Sequence, residues 1–198
     1  ADGLKKKEFK VEGKLRLILV GNPNSGKSTL FNSLTGLNQR IGTFLGVTAE
    51  KNIGHVKINP SLHAEVIDLP GTYSLSPRSE DERVTFEYLS DNTRTDLPEL
   101  IVVVADASNL KRNLLLATQL VDSEQPTVLV LNMMDIVERN KQSIDISELQ
   151  KKLGIPVIPM NARLNKGTEE LKKAITDYKY KEVPKFIEDR ESKDALQN

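Results

Sequence analysis

Apolar positions along the chain fall into short runs of buried type, separated by segments with helical spacing. Residues 15–20, 100–105, 127–131 and 157–160 are mostly apolar and of strand length. Residues 51–57 and 64–69 read as two further strands, joined by the turn signal Asn59-Pro60-Ser61. Between these runs, 25–34, 79–89, 110–121, 146–153 and 168–178 carry helical patterns. In 110–121, Leu114, Ala117, Leu120 and Val121 share one face. The helix over 79–89 opens on Ser79, and Glu80-Asp81-Glu82 form its acidic first turn. Strands alternating with helices predict an α/β fold, a mostly parallel six-stranded sheet flanked by helices. In such sheets ligands collect at the carboxyl ends of the strands.

Composition narrows the class. At 198 residues the chain has room for one domain, or one with a short appendage. Zero cysteines exclude disulfide scaffolds, thiolate zinc sites, iron–sulfur clusters and cysteine nucleophiles. Lys+Arg and Asp+Glu both number 28, so no net field favours nucleic acid, and no nucleic-acid partner is expected. No run approaches the ~18 apolar residues that span a bilayer, and the chain reads as a soluble globular domain. The expected division is a polar lead-in over 1–13, one nucleotide-binding domain over 14–178, and a charged tail or truncated linker over 179–198. His55 and His63 read as surface or hairpin residues rather than metal ligands.

The chemistry begins directly after the first strand. Gly21-Asn22-Pro23-Asn24-Ser25-Gly26-Lys27-Ser28 is a full G-x-x-x-x-G-K-[ST] match, with Thr29 next. Its glycines permit a tight turn that aims backbone N–H groups at a β-phosphate. Lys27 reaches the β- and γ-phosphate oxygens, and the Ser28 hydroxyl suits Mg²⁺. The helix that starts here adds its positive end to the same anion. Strand before and helix after are both expected, so this loop binds a nucleoside triphosphate. Asp68 ends the next parallel strand, where a carboxylate holds Mg²⁺ through water, and Gly71 can offer its N–H to a γ-phosphate.

Asn132-Met133-Met134-Asp135 ends the strand 127–131 and resembles the N-[KT]-x-D motif of Ras-like GTPases, whose Asp accepts from guanine N1 and N2. Adenine would leave that carboxylate unpaired, which makes Asp135 the guanine selector. Met133 stands where most relatives have a lysine. Asn161-Ala162-Arg163 occupies the place of Ser-Ala-Lys, with the Ala162 N–H meeting guanine O6 and Asn161 replacing the serine.

With four motifs in order, the chain resembles a Ras-like P-loop GTPase. In finer detail it resembles the cytosolic G domain of the ferrous-iron transport protein B (FeoB) family over about 14–178. Leu30-Phe31-Asn32, Leu34-Thr35-Gly36, Asn38-Gln39-Arg40, Gly46-Val47-Thr48 and Asn113-Leu114 follow that family, as does the run Asp68-Leu69-Pro70-Gly71-Thr72-Tyr73-Ser74-Leu75-Ser76-Pro77. The resemblance implies GTP and GDP as ligands and Mg²⁺ held by Ser28, Thr48 and Asp68. Thr48 and Gly46 belong to the first switch segment, Gly71 to the second. It also implies K⁺ held by the Asn24 side chain with carbonyls of Gly42 and Phe44, neutralising charge on the β–γ bridge. The other reading of Asn24 is side-chain support of the loop. Catalysis would then rest on Lys27, Thr48, Gly71 and Asn24. Thr72 stands where Ras places its water-orienting Gln, so slow hydrolysis is expected. The implied partner is a membrane permease domain of the same intact chain, at the cytoplasmic face of the bacterial inner membrane, with room for an oligomer of the full-length protein. The competing assignments are a ribosome-assembly or tRNA-modification GTPase, and a nucleotide-binding module without turnover.

Overall fold

The computed structural model describes residues 13–44, 50–94 and 96–178. Gly46 and Thr48, the lead-in over 1–12 and the tail over 179–198 lie outside the described residues. The chain order is β1 (Gly13–Gly21), α1 (Lys27–Thr35), β2 (Gln39–Thr43), β3 (Glu50–Asn59), β4 (Leu62–Asp68), α2 (Glu80–Ser90), β5 (Glu99–Asp106), α3 (Leu110–Asp122), β6 (Thr127–Asn132), α4 (Met134–Arg139), α5 (Ile146–Leu153), β7 (Val157–Pro159) and α6 (Thr168–Thr176). Single 3₁₀ turns precede α3 and α6, at Ala107–Asn109 and Ala162–Leu164.

One sheet takes the order β2-β3-β4-β1-β5-β6-β7. Pairs β4·β1, β1·β5, β5·β6 and β6·β7 are parallel, whereas β2·β3 and β3·β4 are antiparallel. The expected α/β class holds, but the sheet has seven strands rather than six. The added strand is β2, whose Gln-Arg-Ile-Gly-Thr sequence is exposed at four of five positions and so lacks an apolar face. It forms because β3 offers it a partner, not because its own residues favour burial. The expected hairpin turn between β3 and β4 is present, and Ser61 N donates to Asn59 Oδ1 at 2.8 Å.

Side chains of the central strands alternate between two cores, as period-2 geometry requires. Leu15, Leu17 and Leu19 of β1, with Leu100, Val102 and Val104 of β5, face Leu30, Phe31 and Leu34 of α1 and Leu171 and Ile175 of α6. Ile18, Val20, Ile101 and Val103 face the other way, onto Val84 of α2, Leu116, Ala117 and Leu120 of α3 and Leu153 of α5. Both faces being covered explains why the central strands read as unbroken apolar runs. The expected α3 face is largely as read: Ala117, Leu120 and Val121 are buried, and Leu114 is half-buried. Ser79 caps α2, its Oγ accepting from Glu82 N at 3.2 Å, ahead of the acidic first turn.

Candidate functional site

The carboxyl ends of β1, β4, β6 and β7 carry the motif residues. After β1 the chain turns through Asn24 at φ 64° and Gly26 at φ 87° before α1 begins at Lys27. The second of these turns is closed to other residues, because a Cβ on Gly26 would run into the Asn132 amide nitrogen. Gly21 is equally confined, with Val104 O and Ser25 Oγ where a Cβ would sit. The helix therefore starts two residues later than the apolar pattern suggested, since Ser25 and Gly26 are spent on the turn. Asn24, Ser28 and Thr29 are exposed at the mouth of this loop.

Lys27 lies over the carboxyl end of β4, where its Nζ forms an ion pair with Asp68 Oδ1. Both side chains are about nine-tenths buried. The Gly71 backbone packs so tightly on the loop that a Cβ there would stand 3.2 Å from Pro23 N. Thr72, fully buried, ties the two segments together: its N–H donates to Gly21 O at 2.9 Å. From the other side Thr85 of α2 donates to Pro70 O at 2.8 Å. Two contacts from α3 hold the segment just beyond Thr72. The Leu75 N–H donates to Gln119 Oε1 at 2.7 Å, and the Arg112 guanidinium stacks 4.4 Å from the Tyr73 ring centre. Asn22 is buried beneath the loop, and its Nδ2 donates to Arg112 O at 3.4 Å.

The third and fourth motifs meet through one side chain. Asn132, 4% exposed, donates through Nδ2 to Ser25 O at 3.1 Å and accepts at Oδ1 from Ala162 N at 2.9 Å. A single amide thus fixes the phosphate loop to the loop after β7. Met133 takes φ 63° to start α4. Asp135 is half-buried, with Arg139 Nη2 at 3.4 Å and Arg163 Nη2 at 3.8 Å from its Oδ2. Asn161 is buried and exchanges backbone hydrogen bonds with Lys166 at 2.9 and 3.1 Å. The two residues expected to supply K⁺ carbonyls lie near the end of β2 and directly after it. Gly42 pairs with Lys51 in β2·β3, and the buried Phe44 ring meets Tyr88 edge-on at 5.8 Å.

So the structure gathers Gly21 to Thr29, Asp68, Gly71, Asn132, Asp135 and Asn161 to Arg163 at one end of the sheet. What the sequence left unread is the bracing: Thr72, Thr85, Arg112 and Gln119 hold the loops, and no motif flags them. Thr72 alone had a signal, in its place directly after Gly71.

Known proteins share this arrangement. The family model described as ferrous iron transport protein B matches residues 15–175. The Fe(2+) transporter FeoB of Shigella flexneri is 44% identical over 178 residues, covering 88% of this chain and 22% of that protein. That of Leptospira biflexa is 43% identical over 156 residues, 79% of this chain and 22% of the transporter. The chain therefore spans about a fifth of the length of these curated relatives. Among solved structures, a GDP-bound variant of S. thermophilus NFeoB superposes with TM-score 0.78 at 39% identity, covering 91% of this chain and 69% of that one. The G domain of the T. maritima FeoB iron transporter gives TM-score 0.74 at 38% identity, with 83% and 98% covered.

Proposed function

The chain belongs to the ferrous iron transport protein B family, and on that premise we propose that it is the GTP-binding and slowly GTP-hydrolysing domain of a ferrous-iron transporter. The observation that carries the reading is the Asn132 bracket, which holds the phosphate loop and the Ala162 loop at a fixed separation beside Asp135. Triphosphate and guanine sites are thereby built as one unit.

In this reading GTP lays its phosphates along 21–28, with backbone N–H groups and the Lys27 ammonium around the β- and γ-phosphates. Lys27 exchanges its Asp68 partner for phosphate oxygens, a replacement of one charged acceptor by another. Asp135 accepts from guanine N1 and N2, and the Ala162 N–H, which donates to Asn132 Oδ1 in this structure, would be shared with or handed over to O6. Arg163 and Arg139 place positive charge beside Asp135 at the rim. Ser28 and Asp68 are hard oxygen donors at the phosphate end, a donor set that suits Mg²⁺, with Thr48 as the third protein ligand. Mg²⁺ bound there would neutralise the phosphate oxygens. Asn24, exposed at the loop mouth, would hold K⁺ with the Gly42 and Phe44 carbonyls, as the family resemblance implies. Gly71, pressed on Pro23, presents its N–H to the γ-phosphate. Thr72 is committed to Ser74 O at 2.7 Å through its hydroxyl and to Gly21 O through its N–H, so it cannot orient water. Hydrolysis then relies on backbone positioning and is slow.

The relatives carry this domain on a much longer chain. The partner is accordingly a membrane permease portion of the same protein, with the domain at the cytoplasmic face. No helix among the described residues is long and apolar enough to cross a membrane. The deciding experiment is equilibrium binding of fluorescent GDP and ADP analogues, followed by GTP cleavage in KCl and in NaCl. GDP binding with no ADP binding, lost in Lys27→Ala, is expected, together with faster cleavage in KCl. Equal affinity for both nucleotides would overturn the guanine assignment, and equal rates in the two salts would remove the K⁺ site.

A further inference from the structure

On the α2 face of the same sheet, a cavity of about 360 Å³ opens between the β2–β3 hairpin and α2, with Lys51 on its wall one residue beyond the Asn52–Asp68 pair. Among the described residues its walls include four cations, Arg16, Arg40, Lys51 and Arg94, and one acid, Glu65. Arg16 and Arg94 are already satisfied. Arg16 binds Glu65 at 3.2 Å, Asp96 at 2.8 Å and Glu99 at 3.1 Å, and Arg94 binds Glu99 at 3.0 Å and Asp91 at 3.3 Å. Lys51 and Arg40 differ. Among the described residues neither has a carboxylate within 4.0 Å.

Lys51 is the more unusual of the two. It is half-buried on β3, with its Nζ 5.3 Å from the Phe44 ring centre and 5.7 Å from that of Tyr88. Aromatic faces compensate an ammonium only in part. Lys51 is thus a half-buried cation with no ion pair among the described residues, on the wall of an open cavity and beside a second such cation, Arg40. The remaining wall, Ile53, Ile67 and Tyr88, is apolar and aromatic.

We propose that this cleft binds a small organic oxyanion, its charged group on Lys51 and Arg40 and its carbon body against Ile53, Ile67 and Tyr88. Phosphate monoesters and carboxylates share that chemistry. The cleft adjoins the nucleotide end, since Gly42 lines it and Lys51 follows the Asn52–Asp68 pair, and α2 links the two further: Tyr88 lies one turn beyond Thr85, which holds Pro70. Any effect on the nucleotide rests on the GTPase reading, whereas binding itself does not.

The test is a titration of the 198-residue chain with phenyl phosphate and with benzoate at matched ionic strength. GDP and Mg²⁺ are kept saturating to block the phosphate loop, and the Lys51 Nζ resonance is followed by NMR. We expect one or both anions to shift that resonance saturably, which identifies the head-group class. Lys51→Met, which keeps the aliphatic stem, and Arg40→Gln, on the exposed strand, should each weaken binding by about tenfold or more. Lys51→Arg should retain it, and Lys152→Met on α5 should leave it unchanged. No saturable shift with either anion overturns the proposal. So does undiminished binding in both Lys51→Met and Arg40→Gln. If GDP fails to bind, the GTPase reading falls, while the difference between wild type and Lys51→Met still reports on this cleft.

Discussion

Gly26 turns the backbone at φ 87° with the Asn132 amide directly above it, leaving no space for a methyl group. Gly26→Ala therefore incurs both a left-handed backbone cost and a collision with a buried, fully used amide. Destabilisation of about 2–4 kcal/mol is expected by chemical denaturation, with loss of GDP binding in the same variant. Asp135 offers a separable prediction, since it is half-buried and meets the neighbouring loop through an ion pair with the exposed Arg163, which adds little stability. Asp135→Ala should weaken GDP binding by at least about a hundredfold with the melting temperature nearly unchanged. A matching loss of stability would show that Asp135 is structural. At Asn24 the expectation concerns rate: Asn24→Ala should bring the ratio of GTP cleavage in KCl to that in NaCl down to one. At this scale the sequence was most informative, because a phosphate loop fixes residue types by backbone geometry. Thr85 and Gln119 were invisible for the opposite reason. A threonine or glutamine that bonds a carbonyl or amide of a distant segment leaves no local pattern.

Among elements, the parallel strands were legible because each is buried on both faces and shows an apolar run. Strand β2 was not, since its pairing with β3 supplies what its own residues lack. Helix α4 was missed because it is six residues long and begins at the αL residue Met133 inside a motif already assigned to the base. Helix and hairpin meet tightly at Gly54 of β3, where a Cβ would press into the Thr35 side chain, with Phe31 at 3.2 Å. Neither neighbour can yield, because Thr35 is buried and donates to Phe31 O at 2.7 Å. Gly54→Ala should cost about 1–3 kcal/mol by overpacking α1 against the hairpin, read as a lower denaturation midpoint with an unchanged slope. Because α1 carries Lys27 and Ser28 at its start, the same variant should loosen GDP.

The molecule as a whole is a sheet with chemistry at one end and a charge network at the other. That network makes stability depend on acid. The Arg16 guanidinium holds the Asp96 carboxyl below its ordinary value of 3.8. A carboxylate depressed in the folded state contributes stability above its unfolded pKa and loses it as pH falls through the folded one. Wild type should thus lose more melting temperature than Asp96→Asn between about pH 5 and pH 2, and parallel curves would refute the linkage. Arg16 also has a consequence for how the sheet assembles. Residues 15–20 are apolar except at this one position, so hydrophobicity alone scarcely distinguishes one face of β1 from the other. Shifting β1 by a single residue against β4 and β5 would carry the guanidinium to the opposite face, among Leu30, Leu34 and Leu171, and take from Glu65 and Asp96 the cation they share, while Glu99 kept Arg94. One charged side chain in a greasy strand acts as a keying pin, admitting one alignment of the sheet and penalising its neighbours.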